Sequence, residues 1–231
     1  MTPKRHPIRS RSGKTDVFRY YIIAIIVGNI LIGVINGLIG LPGYSTPVAL
    51  LVCLGVSVLF TVLEFGLDAL IAWLTRLLPE KAVDPFRKIY RVGKWEKKVY
   101  KKLGIVKWKD KIPEAGGLLA KFQKKKVLDF HDNTYIMTFM RESVYAEVMH
   151  VISAIAGLAV PALCVLRLLW PDVIPQVHWC VRIALPVALV NFVLQVLPVM
   201  VQRYVRPQLM SVYLRNQKRA ERLAESVKPN H

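Results

Sequence analysis

The residues with most chemical promise lie in two stretches, 142–150 and 191–206. Glu147 and His150 are three apart, so a helix places them on one face, about a turn from each other. A carboxylate in that position can hold an imidazole in one tautomer and leave its other nitrogen basic enough to take a proton near neutral pH. Glu142 and Tyr145 precede the pair. The same residues also suit a plain helix start, with Glu at the positive end of the dipole and His at an interface. Downstream, Asn191, Gln195 and Gln202 recur at intervals of four and seven, on one stripe that must face other helices or a cavity. The run Gln202-Arg203-Tyr204-Val205-Arg206-Pro207 adds two guanidiniums able to grip a phosphate or carboxylate. Glu64 and Asp68, four apart, form a further pair on one face. Carboxylates that close repel, so one is protonated or a cationic group lies between them.

Familiar motifs are absent. The chain has no glycine-rich phosphate loop, no HExxH, no GxSxG and no CxxC. His131-Asp132 resembles part of a His-x-x-x-x-Asp acyltransferase motif, but the spacing fails. Cys53, Cys164 and Cys180 lie in or beside apolar segments without paired spacing, as small hydrophobes do, so neither a disulfide nor a metal site is expected.

The elements that must position these residues follow from charge. The 231-residue chain carries 33 Lys and Arg against 15 Asp and Glu, a formal net charge of +18, yet 54% of it is apolar. Charge and apolarity are segregated: residues 20–63, 148–166 and 183–202 contain no charged side chain. About 20 such residues cross a bilayer core. A soluble enzyme, a disordered tail and a secreted disulfide scaffold are thereby excluded. The prolines and glycine of Leu41-Pro42-Gly43-Tyr44-Ser45-Thr46-Pro47 divide the first run. The expected fold is an all-α integral membrane protein with four transmembrane helices, at 20–41, 47–75, 147–170 and 179–203. Six basic residues precede the first span, 18 lie between Arg76 and Arg141, and seven follow from Arg203, while the turns 42–46 and 171–178 have none. The positive-inside rule then makes the termini (1–19 and 204–231) and the central segment 76–146 cytoplasmic, in a multi-pass protein of the cell membrane. The spans pair as hairpins over 20–75 and 147–203. The apolar run after Arg19 is too long for a signal-peptide core and is read as retained. In the central segment Phe86, Tyr90, Trp95 and Tyr100 recur among lysines, as expected of a helical segment lying on an anionic leaflet. A solvated basic loop is the plainer alternative, and nucleic acid is not an expected partner.

Three blocks resemble the small membrane acyltransferases of carotenoid biosynthesis, the glycosyl-diaponeurosporenoate acyltransferases of the staphyloxanthin pathway. They are Gly93-Lys-Trp-Glu-Lys97 with Lys107-Trp-Lys-Asp-Lys-Ile112 and Glu114-Ala-Gly116, then Ala146-Glu-Val-Met-His-Val-Ile-Ser153, then Val201-Gln-Arg-Tyr-Val-Arg-Pro-Gln-Leu209. The hydrophobic segment of spans one and two is additional to the compact family pattern, and Gln195 stands at shifted spacing before Leu197-Pro198. The resemblance implies transfer of a fatty acyl group from a thioester donor, acyl-CoA or acyl-carrier protein, to a hydroxyl of a lipid-linked glycoside. In that reading His150 takes the hydroxyl proton and Glu147 orients the imidazole. Arg203, Arg206, Lys109 and Lys111 hold the anionic donor. Gln202 or Tyr204 bonds the sugar or oxyanion, Asn191 and Gln195 line the binding face, and Trp108 pins the basic segment over the site. A prenyl or lipid methyltransferase and a non-enzymatic membrane scaffold or transporter subunit are the alternative functions.

Overall fold

The computed structural model describes residues 12–112, 130–159, 161–162 and 178–226. They form helices without strands: α1 (Ser12–Ile39), α2 (Thr46–Thr75), α3 (Lys94–Lys102), α4 (Ile105–Trp108), α5 (Asn133–Gly157) and α6 (His178–Ser226). Among these residues three helical stretches are long and apolar enough to cross a membrane, Arg19–Ile39, Thr46–Thr75 and Val181–Ser226, not the four expected. The expected third span, 147–170, is described only in part, since positions 160 and 163–170 lie outside the described residues. Its helix begins at Asn133, where the Asp132 side chain caps the amides of Thr134 and Tyr135 at 2.8 and 3.2 Å. α5 therefore starts well upstream of residue 147, carries Arg141, Glu142, Glu147 and His150 in its middle, and closes at Leu158. Beyond His150 it has seven residues, about 10 Å of rise.

The break between α1 and α2 falls where the prolines and glycine predict. Gly40 and Gly43 take φ of 89° and 81°, and Pro47 opens α2 in its first turn. α1 and α2 pack antiparallel around Gly33 and Gly37. A Cβ at these positions would lie 2.7 and 2.6 Å from the Cα atoms of Leu54 and Leu50. Such a small-xxx-small pair lets backbones approach where no hydrophobic force separates helix from lipid. Asn29 ties the same interface, its Oδ1 accepting from Ser57 and Thr61 at 2.8 and 2.9 Å.

α6 is 49 residues long, about 73 Å, more than twice a bilayer core. The segment expected as a separate basic tail is thus helical and continuous with the last span as far as Ser226. Its extension is held by the first half of α5: Ile136, Phe139 and Met140 bury against Leu209, with Phe86, Tyr135 and Tyr213 around them. Pro186 lies within α6, and a proline there leaves the carbonyl four residues back without its helical donor. That carbonyl, of Arg182, accepts from the Asn36 amide of α1 at 3.4 Å, while the Arg182 guanidinium donates to Gly40 O at 3.2 Å. The freed backbone group is satisfied by a neighbouring helix, as a membrane interior demands.

The basic segment is not one amphipathic helix. Its short helices are separated by turns, and its aromatics part company: Tyr100 is buried, Trp95 is 75% exposed, Phe86 packs on Tyr213, and Tyr90 donates to Ala82 O. Replacing Gly37 with Ile is expected to lower stability by about 1–3 kcal/mol, since backbone on the facing helix cannot rotate away. Thermal unfolding in lipid nanodiscs checks it, with Gly55→Ile, whose Cβ meets open space, as the tolerant control.

Candidate active site

Two polar layers join α2, α5 and α6. From Val181, Gln195 lies 14 residues along α6, about 21 Å, and Arg203 22 residues, about 33 Å. Against a hydrocarbon core of about 30 Å, Gln195 is inside and Arg203 at the boundary nearer the basic segment.

The inner layer comes from α2 and α6 running parallel, so that residues 127 apart meet twice. Asn191 Nδ2 donates to Glu64 Oε2 at 2.8 Å, and Gln195 Nε2 to Asp68 Oδ2 at 2.6 Å. Gln195 Nε2 also reaches Asn191 Oδ1 at 3.2 Å. Gly157 on α5 permits this approach, because a Cβ there would lie 2.6 Å from Glu64 Oε2. The other end of Gln195 meets His150, with Oε1 2.5 Å from Nδ1. The amide nitrogen faces Asp68 and the carbonyl faces the ring. With the carbonyl toward the ring, Nδ1 is the donor of this contact, and a neutral imidazole then carries its basic nitrogen at Nε2.

The outer layer is ionic. Arg203 Nη1 and Arg206 Nη2 each lie 2.5 Å from a Glu147 oxygen. Glu96 on α3 accepts from Arg203 Nε and Nη2 and from the Tyr100 hydroxyl. The guanidiniums also donate to backbone: Arg206 to Ser143 O and Tyr90 O, Arg203 to Ile89 O and Arg91 O. Arg206 is 1% exposed and Glu147 5%. Two arginines and two glutamates make the cluster neutral. Burial pushes the Glu96 carboxyl up, but the Arg203 and Tyr100 hydrogen bonds outweigh it and hold the group below its ordinary 4.5. Burial and Glu96 together push the Tyr100 hydroxyl well up.

The two expected pairings are thus exchanged. Glu147, expected to orient His150, gives both oxygens to arginines, and Gln195 backed by Asp68 meets the ring. Arg203 and Arg206, expected to grip a donor, face protein acceptors. Gln202 is buried in α6 and Tyr204 packs edge-on to Tyr100 at 6.4 Å. Trp108 donates to Leu103 O and Lys109 pairs with Asp110, contacts within their own segment. Lys111 is exposed in the short 3-10 turn that follows. Nothing in the spacing of 96, 147, 203 and 206 foretells the outer layer, because α3 reaches it from a separate segment. Among the described residues no group of three or more His, Cys, Asp or Glu is placed to hold a metal.

The fold is that of a multi-pass helical membrane protein. Residues 86–215 match the model of the glycosyl-4,4'-diaponeurosporenoate acyltransferase family, and the chain belongs to that acyltransferase family. No curated protein and no solved structure matches it. The match covers α3 to α5 and α6 as far as Arg215, and leaves α1, α2, Glu64 and Asp68 outside.

Glu147→Gln is expected to cost about 3–5 kcal/mol, because Arg206 is left as a buried charge without its counter-ion. Thermal unfolding in detergent measures it. For Glu96 the sign is fixed by its lowered carboxyl. The stabilisation is fully present above the ordinary 4.5 and disappears as pH falls through the lower folded value. Melting temperature should hold from pH 7 to 5 and fall in stronger acid, and Glu96→Gln should start lower and flatten that fall.

Proposed function

We propose that the chain moves a fatty acyl group from a thioester donor to a sugar hydroxyl of a glycosylated, carotenoid-like lipid, with His150 as the base. Family membership supports the reaction class. The observation that carries the residue assignment is the hydrogen bond of His150 Nδ1 to Gln195, with Asp68 behind it. In this reading Nε2 takes the hydroxyl proton as the oxygen attacks the thioester carbonyl. The tetrahedral intermediate then collapses, the C–S bond breaks, and the imidazolium returns its proton to the departing thiolate. Gln202 or Tyr204 supplies a donor to the oxyanion, and Asn191 lines the acceptor's side.

The arginine–glutamate cluster is a neutral frame that locks α3, α5 and α6 together beside the base, with Arg206 enclosed and Arg203 at its edge toward the donor. The anionic donor, acyl-CoA or acyl-carrier protein, meets the lysines beside it. Lys94, Lys97, Lys98 and Lys101 are exposed along α3, at helical spacing, and Lys109 and Lys111 follow, with Trp108 pinning that segment at the interface. The positive-inside rule places this end, both termini and the reaction at the cytoplasmic leaflet of the cell membrane, among anionic lipids.

His150→Asn should lower the transfer rate by about 10²–10⁴, the usual contribution of a positioned base. Membranes carrying the variant are supplied with acyl-CoA and a glycosylated carotenoid, and the acylated product is followed by mass spectrometry. Full activity of a normally inserted His150→Asn protein contradicts the assignment.

A further inference from the structure

A cavity of about 160 Å³ lies between α1, α2 and α6, at membrane depth. That is about ten times what one water needs. One end is polar, formed by the Glu64, Asp68, Asn191 and Gln195 layer. Tyr21 and Phe65 also line it, with Asn29, Thr61 and leucine, valine and isoleucine side chains around the rest of the wall. Gly28 borders the cavity, and a Cβ there would meet nothing within 4 Å.

The polar end asks for donors. Glu64 and Asp68 take amide N–H donors from Asn191 and Gln195, and each carboxyl group has acceptor sites beyond that bond. A neutral head rich in hydroxyls satisfies such acceptors without bringing a second charge into the membrane, and aromatic side chains suit the C–H faces of a sugar. The apolar wall then leads the attached chain toward lipid. Gln195 is a wall of this cavity and the partner of His150, so the cavity adjoins the base. Most of the lining on α1 and α2 lies outside the family match.

We propose that this cavity seats the hydroxyl-rich head of the acceptor lipid, and that the α1–α2 hairpin thereby selects which glycolipid is acylated. The inference rests on the acyltransferase reading above for its role in turnover, but not for binding.

The test uses the full chain in phosphatidylcholine nanodiscs with a photoreactive dodecyl glucoside, and peptide mass spectrometry to locate the label. Wild type should be labelled on α1 and α2 beside the cavity. Gly28→Leu should reduce labelling about tenfold by filling the space, and raise KM for the glycolipid acceptor while kcat holds. Gly55→Leu, on α2 but not lining the cavity, should keep wild-type labelling and show that an added leucine is tolerated. Equal labelling by a chain-matched ethylene-glycol ether, or stronger labelling by a dodecyltrimethylammonium probe, would overturn the hydroxyl-binding assignment. Lost labelling in Gly28→Leu with KM unchanged would overturn the role in acceptor selection. If His150→Asn keeps both labelling and turnover, the base assignment fails while the binding site stands.

Discussion

Polar groups inside a bilayer have no water to turn to, and that constraint organises this molecule. Glu64, Asp68, Asn191 and Gln195 must satisfy one another, and they do so because α2 and α6 run parallel with Glu64 level with Asn191 and Asp68 level with Gln195. The pairing fixes the relative height of the two helices. α5 is then drawn against both, with Gly157 making room and His150 meeting the far side of Gln195. The same rule explains Asn36, which supplies the donor that Pro186 removes from Arg182. The pairing of polar groups at depth accounts for the inter-helix contacts that matter most to the site.

At the boundary the governing cost changes from missing hydrogen bonds to buried charge. Arg206 is almost wholly enclosed, so it needs a counter-ion and carbonyl acceptors, and Glu147, Ser143 and Tyr90 supply them. Arg203 recruits Glu96 from α3, and this ties an otherwise exposed basic segment to the bundle. The consequence for chemistry is a neutral, rigid frame beside the base, with uncompensated positive charge displaced to the exposed lysines of α3.

Much of this was legible in sequence and the rest was not, for physical reasons. The break at 41–47 showed because proline and positive-φ glycine leave few alternatives. The polar residues of the spans showed because each is costly there. Their partners did not show, since spacing along one helix carries no information on the register of another. Glu147 and His150 are three apart and share a face, yet the arginines of α6 are stronger partners for a buried carboxylate than a neutral imidazole. The start of α5 was not legible because its Asp132 cap lies well upstream of the charge-free run. The close approach at Gly33 and Gly37 is visible only once both helices are in place.

The central claim is that a carboxylate on α2, in a hairpin outside the family match, sets the tautomer of His150 through Gln195. Solid-state ¹⁵N NMR of histidine-labelled protein in lipid, with His150 assigned by its absence in His150→Asn, tests it directly. The account predicts a protonated Nδ1 and an unprotonated Nε2 near neutral pH, with that preference lost in Asp68→Ala. A protonated Nε2 in the wild type, or a His150 signal indifferent to Asp68→Ala, would contradict it.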